Sequence, residues 1–204
     1  MAVVRDPEAT KARIFAAATA EFAAHGISGA RIDRIAREAK ANKQLIYAYF
    51  GDKAELFSHV LQRALLDLAC ANPVDADDPD GYIDRLMEYH RAHPELLRLL
   101  LWEGLEYGTA EIPHEAERRA SYEAKAGAFA AAQEKGTVER ILPPQDLVFM
   151  ISALAGWPSA VPQFRRLLVG GTEADEARLR ESVRTAARRL TRWDEGDEGG
   201  RGRV

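Results

Sequence analysis

Apolar residues in this chain recur at helical spacing almost without interruption, and no segment shows the alternation that marks a half-buried strand. That periodicity restricts the chain to an all-α fold. Punctuation divides it into about nine helices. Asp6-Pro7 reads as an N-cap followed by proline at the first helical position. The first helix then runs to about residue 25 and ends at Gly26, with Ile14, Ala18 and Phe22 as its inner stripe. A second, short helix covers about 31–39, with Ile32, Ile35, Ala36 and Ala39 inward. Lys40-Ala41-Asn42 makes a three-residue turn, and Asn42 is a good N-cap for a third helix over about 43–50. Gly51 breaks that helix. Asp52 and Glu55 then form a capping-box pattern for a fourth, over about 53–71. Asn72 to Asp80 is acidic with two prolines and reads as a loop. Further helices are expected at about 81–92, 94–107, 114–135, 144–169 and 173–193, the penultimate one kinked at Pro158 and Pro162. The charged, glycine-rich stretch 194–204 reads as a disordered tail.

Composition adds boundaries. Hydrophobic residues are 47% and charged residues 29% of the 204, as in an ordinary soluble protein. No apolar run reaches the roughly 18 residues that span a bilayer. The start of the chain has no signal-peptide pattern, and the one cysteine, Cys70, has no intramolecular partner. Both fit a cytoplasmic protein outside any membrane. Cys70 lies in an apolar stretch and is expected to be a buried small hydrophobe. The net charge of −4 is unevenly spread: residues 1–53 hold 9 Lys/Arg against 6 Asp/Glu, and the remainder 19 against 26. A basic head on an acidic body suits a nucleic-acid reader whose second part does something else.

The informative block is Ala30 to Leu56, ARIDRIAREAKANKQLIYAYFGDKAEL. Two short amphipathic helices joined by a three-residue turn make a helix-turn-helix, whose second helix lies in the major groove of double-stranded DNA. On that helix Ile46, Tyr49 and Phe50 share the inward face. Lys43, Gln44, Tyr47 and Ala48 then point outward, with Leu45 near the edge. The outward set has the right chemistry. Gln44 can bond adenine N6 and N7 together. Lys43 can reach a guanine edge or a phosphate, and Tyr47 a phosphate oxygen. Ala48 or Leu45 can touch a thymine methyl. Lys53 and Arg31, each at a helix start, read as phosphate clamps, which position without specifying. Arg5 precedes the first helix, where an arm residue can enter a minor groove, but it reads first as a solvated arm residue.

In this block the chain resembles the TetR family. Ile35-Ala36-Arg37-Glu38-Ala39, then Lys43, Tyr47, Tyr49-Phe50, Lys53 and Leu56 stand in the family's register, and IFAAATAEFAAHG resembles its first helix. The family's turn glycine is replaced here by Lys40, its valine by Ala41 and its serine cap by Asn42. A left-handed Lys40 implies strain of about 1 kcal/mol. The resemblance implies an N-terminal three-helix DNA-binding domain over residues 1–53, and a helical effector-binding and dimerisation domain over 54–193. It implies a homodimer that binds a palindromic operator as a repressor, released by a small-molecule effector that prefers the DNA-incompetent state. A ligand-independent repressor or an activator on the same fold is the alternative.

The large side chains of the central helices are the candidate pocket lining: Trp102, Tyr107, Tyr122, Phe129, Phe149, Met150 and Trp157. They suit an apolar or aromatic effector. Leu147, Met150, Ile151 and Leu154 form one apolar stripe, and Leu179, Val183, Ala186, Ala187 and Leu190 another. These mark the last two long helices as the dimer interface. His90 and His93 stand three apart, but no third ligand is spaced to complete a metal site, and none is expected. No cofactor loop or catalytic motif is found, so the chain is not read as an enzyme.

Overall fold

Asp6 opens the first helix as its sequence predicts. Its carboxylate accepts from the backbone N–H of Glu8 and Ala9 at 3.0 and 3.2 Å, ahead of Pro7 at the first helical position. The computed structural model describes residues 6–75 and 78–191. Among these residues it is all α-helical, with ten helices and no strand. They are α1 (Pro7–Gly29), α2 (Ile32–Glu38), α3 (Lys43–Phe50), α4 (Lys53–Ala71), α5 (Pro79–Ala92), α6 (Pro94–Tyr107), α7 (Glu115–Lys135), α8 (Pro144–Ala160), α9 (Pro162–Leu168) and α10 (Glu173–Thr191). Arg5, Trp193 and the tail from residue 194 lie outside the described residues.

The helices form two compact units. One comprises α1–α4, α6 and the start of α7, up to Arg118. The other comprises α5, the rest of α7, and α8–α10. In the first, Ile14, Ala18 and Phe22 of α1 are fully buried, as are Ile35 of α2, Ile46 of α3, Leu56 and Phe57 of α4, and Leu96 and Leu99 of α6, with α1 packed on α2, α4 and α6. Phe22 meets Phe57 edge to face at 5.2 Å, and Phe15 meets Phe50 at 5.0 Å. In the second, Ile83 and Leu86 of α5, Phe129 of α7, Leu147 and Ile151 of α8, and Val183 and Ala187 of α10 are buried. Asp84 and Asp80 of α5 take Arg184 and Arg188 of α10 at 2.6 and 2.7 Å, at the edge of that core.

Three expectations are corrected. The long helix expected over 144–169 is two helices, bent by 85° at Val161. Pro158 stays inside α8, and the chain breaks where Pro162 takes the first position of α9. Cys70 is exposed. Leu68 is the last inward residue of α4, and two residues further the helix has turned roughly 200° away. Of the stripes expected at a dimer interface, two of four residues on α8, Leu147 and Ile151, and two of five on α10, Val183 and Ala187, pack inside the chain and are at most 6% exposed. A helix in a bundle must give one face to its own core first. The apolar side chains α8 leaves outward are Phe149, Met150 and Trp157, with Ala153 between them.

Candidate nucleic-acid interface

α3 is eight residues long and capped at both ends. Asn42 Oδ1 accepts from Gln44 N–H at 2.9 Å, and Gly51, at φ 73°, returns its N–H to the Tyr47 carbonyl at 3.0 Å. Its inward residues are Ile46, 1% exposed, and Phe50, with Tyr49 half-buried beneath the Lys11 ammonium at 5.5 Å. Lys43, Gln44, Tyr47 and Ala48 are all exposed, and Leu45 sits at the edge. The structure therefore brings the expected outward set together on one face. Asp52 and Glu55 exchange their capping bonds at 3.0 and 2.9 Å, which sets α4 directly after α3.

The turn before α3 holds its geometry without glycine. Lys40 N–H reaches the Arg37 carbonyl at 3.1 Å, and Ala41 N–H the Ala36 carbonyl at 2.9 Å. These are the two bonds of a Schellman ending, with Lys40 left-handed at φ 50°. Arg13 of α1 donates to the Ala39 carbonyl at 3.1 Å and ties the turn to the first helix. Lys40→Gly should therefore stabilise the protein by about 1 kcal/mol, read as a higher denaturant midpoint at constant slope. An unchanged midpoint would mean that the lysine carries no strain.

Three cations of the site are already engaged. Lys43 pairs with Asp33 of α2 at 2.9 Å, and the carboxylate holds its ammonium above the ordinary value. Lys53 Nζ donates to the Ser28 carbonyl at 3.2 Å and lies 3.5 Å from that of Ala30, so it closes the end of α1. Arg34 grips Glu21 with its Nε at 2.8 and 3.0 Å, and the same carboxylate accepts the Arg31 N–H at 2.8 Å. That leaves the Arg31 side chain exposed at the start of α2. Sequence reasoning missed Arg13, Glu21 and Asp33. The opposite charges of Asp33 and Lys43 on either side of the turn were the one available signal.

The comparisons with known proteins agree with this geometry. Residues 14–60 match the model of bacterial regulatory proteins of the tetR family, and residues 78–189 that of the tetracyclin repressor-like C-terminal domain. The HTH-type transcriptional repressor SCO4008 of Streptomyces coelicolor is 62% identical over 186 residues, covering 91% of this chain and 97% of that one. The chain belongs to the TetR family. It is similar in structure to the putative transcriptional regulator SCO4942 of the same organism, with a TM-score of 0.75, 32% identity, and 89% and 98% of the two chains covered. NalD of Pseudomonas aeruginosa shares the fold at a TM-score of 0.63 and 19% identity, over 93% of this chain and all of that one. As a TetR-family member the chain is a helix-turn-helix transcriptional regulator that binds DNA.

The seven expected pocket residues fall in both units, Trp102 and Tyr107 in the first and the other five in the second. Trp102 of α6 packs against α1: its ring covers Gly26, and its indole N–H donates at 3.3 Å to the Ala23 carbonyl, which also accepts from Arg98 Nε at 2.7 Å. Tyr107 is half-buried, and burial, then Glu103, Glu106 and Asp52, push its hydroxyl up. Phe129 is fully buried and meets Tyr82 of α5 at 6.3 Å, while Tyr122, two turns earlier on α7, is exposed. Phe149, Met150 and Trp157 are 75%, 43% and 55% exposed on α8. His90 is buried, and His93 is exposed with its Nδ1 3.2 Å from Glu95.

Proposed function

We propose that this chain is a repressor that binds a palindromic operator as a homodimer and leaves it when a small-molecule effector binds. The observation that carries the reading is the α3 surface: Lys43, Gln44, Tyr47 and Ala48 exposed together on a helix capped at both ends. In this reading Gln44 reads adenine, Lys43 and Leu45 flank it, and Tyr47, Lys53 and Arg31 meet phosphates. Residues 1–53 form the reading head and 54–193 the effector and dimer part. The relative SCO4008 is named a repressor, which supports the sign of regulation. No single helix among the described residues is long and apolar enough to cross a membrane, and a DNA-bound repressor works in the cytoplasm. A base-reading helix is the machinery of a regulator and not of an enzyme.

The dimer would use α8 and α10. Phe149, Met150 and Trp157 form an exposed apolar face that a partner's matching face would cover. Two-fold pairing then sets the recognition helices about one turn of DNA apart, roughly 34–36 Å. Selection from a random duplex pool should return a palindrome. Gln44→Ala should lose about 1–3 kcal/mol on the selected operator and relax one or two base positions. A motif unchanged by that substitution would remove Gln44 as a reader, and a pool that stays random would sink the repressor reading.

A further inference from the structure

Lys53 does not stand alone at the end of α1. Its ammonium has three N–H donors, and the Ser28 and Ala30 carbonyls, at 3.2 and 3.5 Å, take two of them. The Gly29 carbonyl between them accepts from Arg34 at 3.2 Å. Cations belong here, because the last carbonyls of a helix carry its partial negative charge. The break at Gly26 sets which way these carbonyls point. Beyond it Ile27 and Ala30 are buried, while Ser28 and Gly29 stay exposed.

α6 holds that break. It packs on α1 within the first unit, although it stands between α5 and α7 in the chain. Arg98, Trp102 and Glu106, at i, i+4 and i+8, share one face of the helix. Arg98 and Trp102 donate to the Ala23 carbonyl before the break, at 2.7 and 3.3 Å, and the Trp102 ring covers Gly26 itself. Glu106 takes the residue beyond it. Ser28 Oγ donates to the Glu106 carboxylate, 2.8 and 3.0 Å from its two oxygens. Ser28 therefore meets α6 with its side chain and Lys53 with its carbonyl. Resting on the contact between Lys53 and a DNA phosphate proposed above, we propose that Glu106 is a positioning residue for DNA binding. Through Ser28 it fixes the carbonyls that aim the Lys53 ammonium at that phosphate. A long side chain loses rotamer freedom when a contact pins it, and a lysine already seated on two carbonyls has lost it before DNA arrives. The third N–H is left for the phosphate oxygen. Because that contact is to the backbone, Glu106 supports affinity for every sequence and specifies none.

The full chain is titrated by fluorescence anisotropy against two duplexes, the selected palindrome and one of random sequence. Ser28→Ala should weaken binding to both about two- to tenfold, the cost of fixing one long side chain on binding. Glu106→Ala and Glu106→Gln both remove the charge, but only glutamine keeps an acceptor for the Ser28 hydroxyl. Glutamine should bind both duplexes more tightly than alanine by a similar factor. In a Lys53→Met background the Ser28→Ala loss and the gap between glutamine and alanine should both vanish, because no ammonium remains to be aimed. A merely structural role for the bond would leave both in place. Ser28→Ala binding as tightly as the parent or tighter, alanine matching glutamine, or losses that persist without Lys53 would each overturn the proposal. Lys53→Met binding with parental affinity and salt dependence would overturn the phosphate contact, and the proposal with it. A Lys53→Met loss without a Ser28→Ala loss overturns the positioning alone. If no palindrome is selected, the repressor reading falls and the random duplex still decides the role of Glu106.

Discussion

Gly26→Ala is expected to cost about 4 kcal/mol and to abolish operator binding at growth temperature. The residue sits at φ 68°, ψ −178°, inside α1, a backbone region essentially confined to glycine. A Cβ there would stand 2.7 and 2.8 Å from Cε3 and Cδ2 of Trp102, closer than carbon atoms approach. Backbone strain and overpacking each account for about 1–3 kcal/mol of the loss. The Trp102 ring has little room to retreat, because its indole N–H is bonded to Ala23 on the same helix. Chemical denaturation of Gly26→Ala, Trp102→Leu and the double variant separates the two terms. The double variant should recover the clash and keep the strain. A melting temperature within about 2 °C of the parent for Gly26→Ala would refute the account.

Acid should destabilise the protein between pH 6.5 and about 4 through His90. Its imidazole has an ordinary value of 6.5; burial first, and the Lys125 charge second, pull it to about 4. In that window the unfolded chain holds a proton that the folded chain refuses, so unfolding takes up a proton and lower pH favours it. Above pH 6.5 the imidazole is neutral in both states and exacts no penalty. By pH 4 the accumulated loss is about 3 kcal/mol. Lys125 acts in the same direction at higher pH, since its folded value is also lowered. Denaturant midpoints from pH 7.5 to 4.5 on the parent and on His90→Leu provide the check. The leucine variant should lose that share of the acid slope, and parallel curves would sink the assignment.

The parts of the fold that follow local rules could be read from the sequence. Asp6, Asn42 and the Asp52–Glu55 pair cap where their chemistry says they should. The two faces of α3 separated correctly because its eight residues need only the helical period to be sorted. Lys40 was legible as a left-handed residue because it stands where the TetR family has its turn glycine. Tertiary competition hid the rest. Pro158 and Pro162 look alike in sequence, and only one coincides with the bend. α8 is apolar on more than one side, so periodicity could not say which side the chain keeps for itself; Leu147 and Ile151 went in and Phe149 and Trp157 stayed out. Trp102 was legible as a large aromatic on a central helix, but its seat on Gly26 lies 76 residues back along the chain. The His90 Nδ1, without a hydrogen-bond partner among the described residues, has no sequence signature at all, because its meaning depends on what fails to face it.

The Asp33–Lys43 pair at 2.9 Å has a bearing on how DNA is met. The carboxylate already stands where a dissolved anion, or a phosphate, would otherwise gather. On the proposed reading, in which α3 enters the groove, Lys43 would exchange one negative partner for another, and Asp33 would be left facing a polyanion with its own cation withdrawn. The head therefore brings less usable positive charge to the backbone than a tally of its lysines and arginines suggests, and fewer ions leave the DNA on binding than that tally would require. Discrimination then leans on the uncharged side chains of α3. A modest attraction to DNA of any sequence lets such a protein move between sites instead of lingering on the wrong ones.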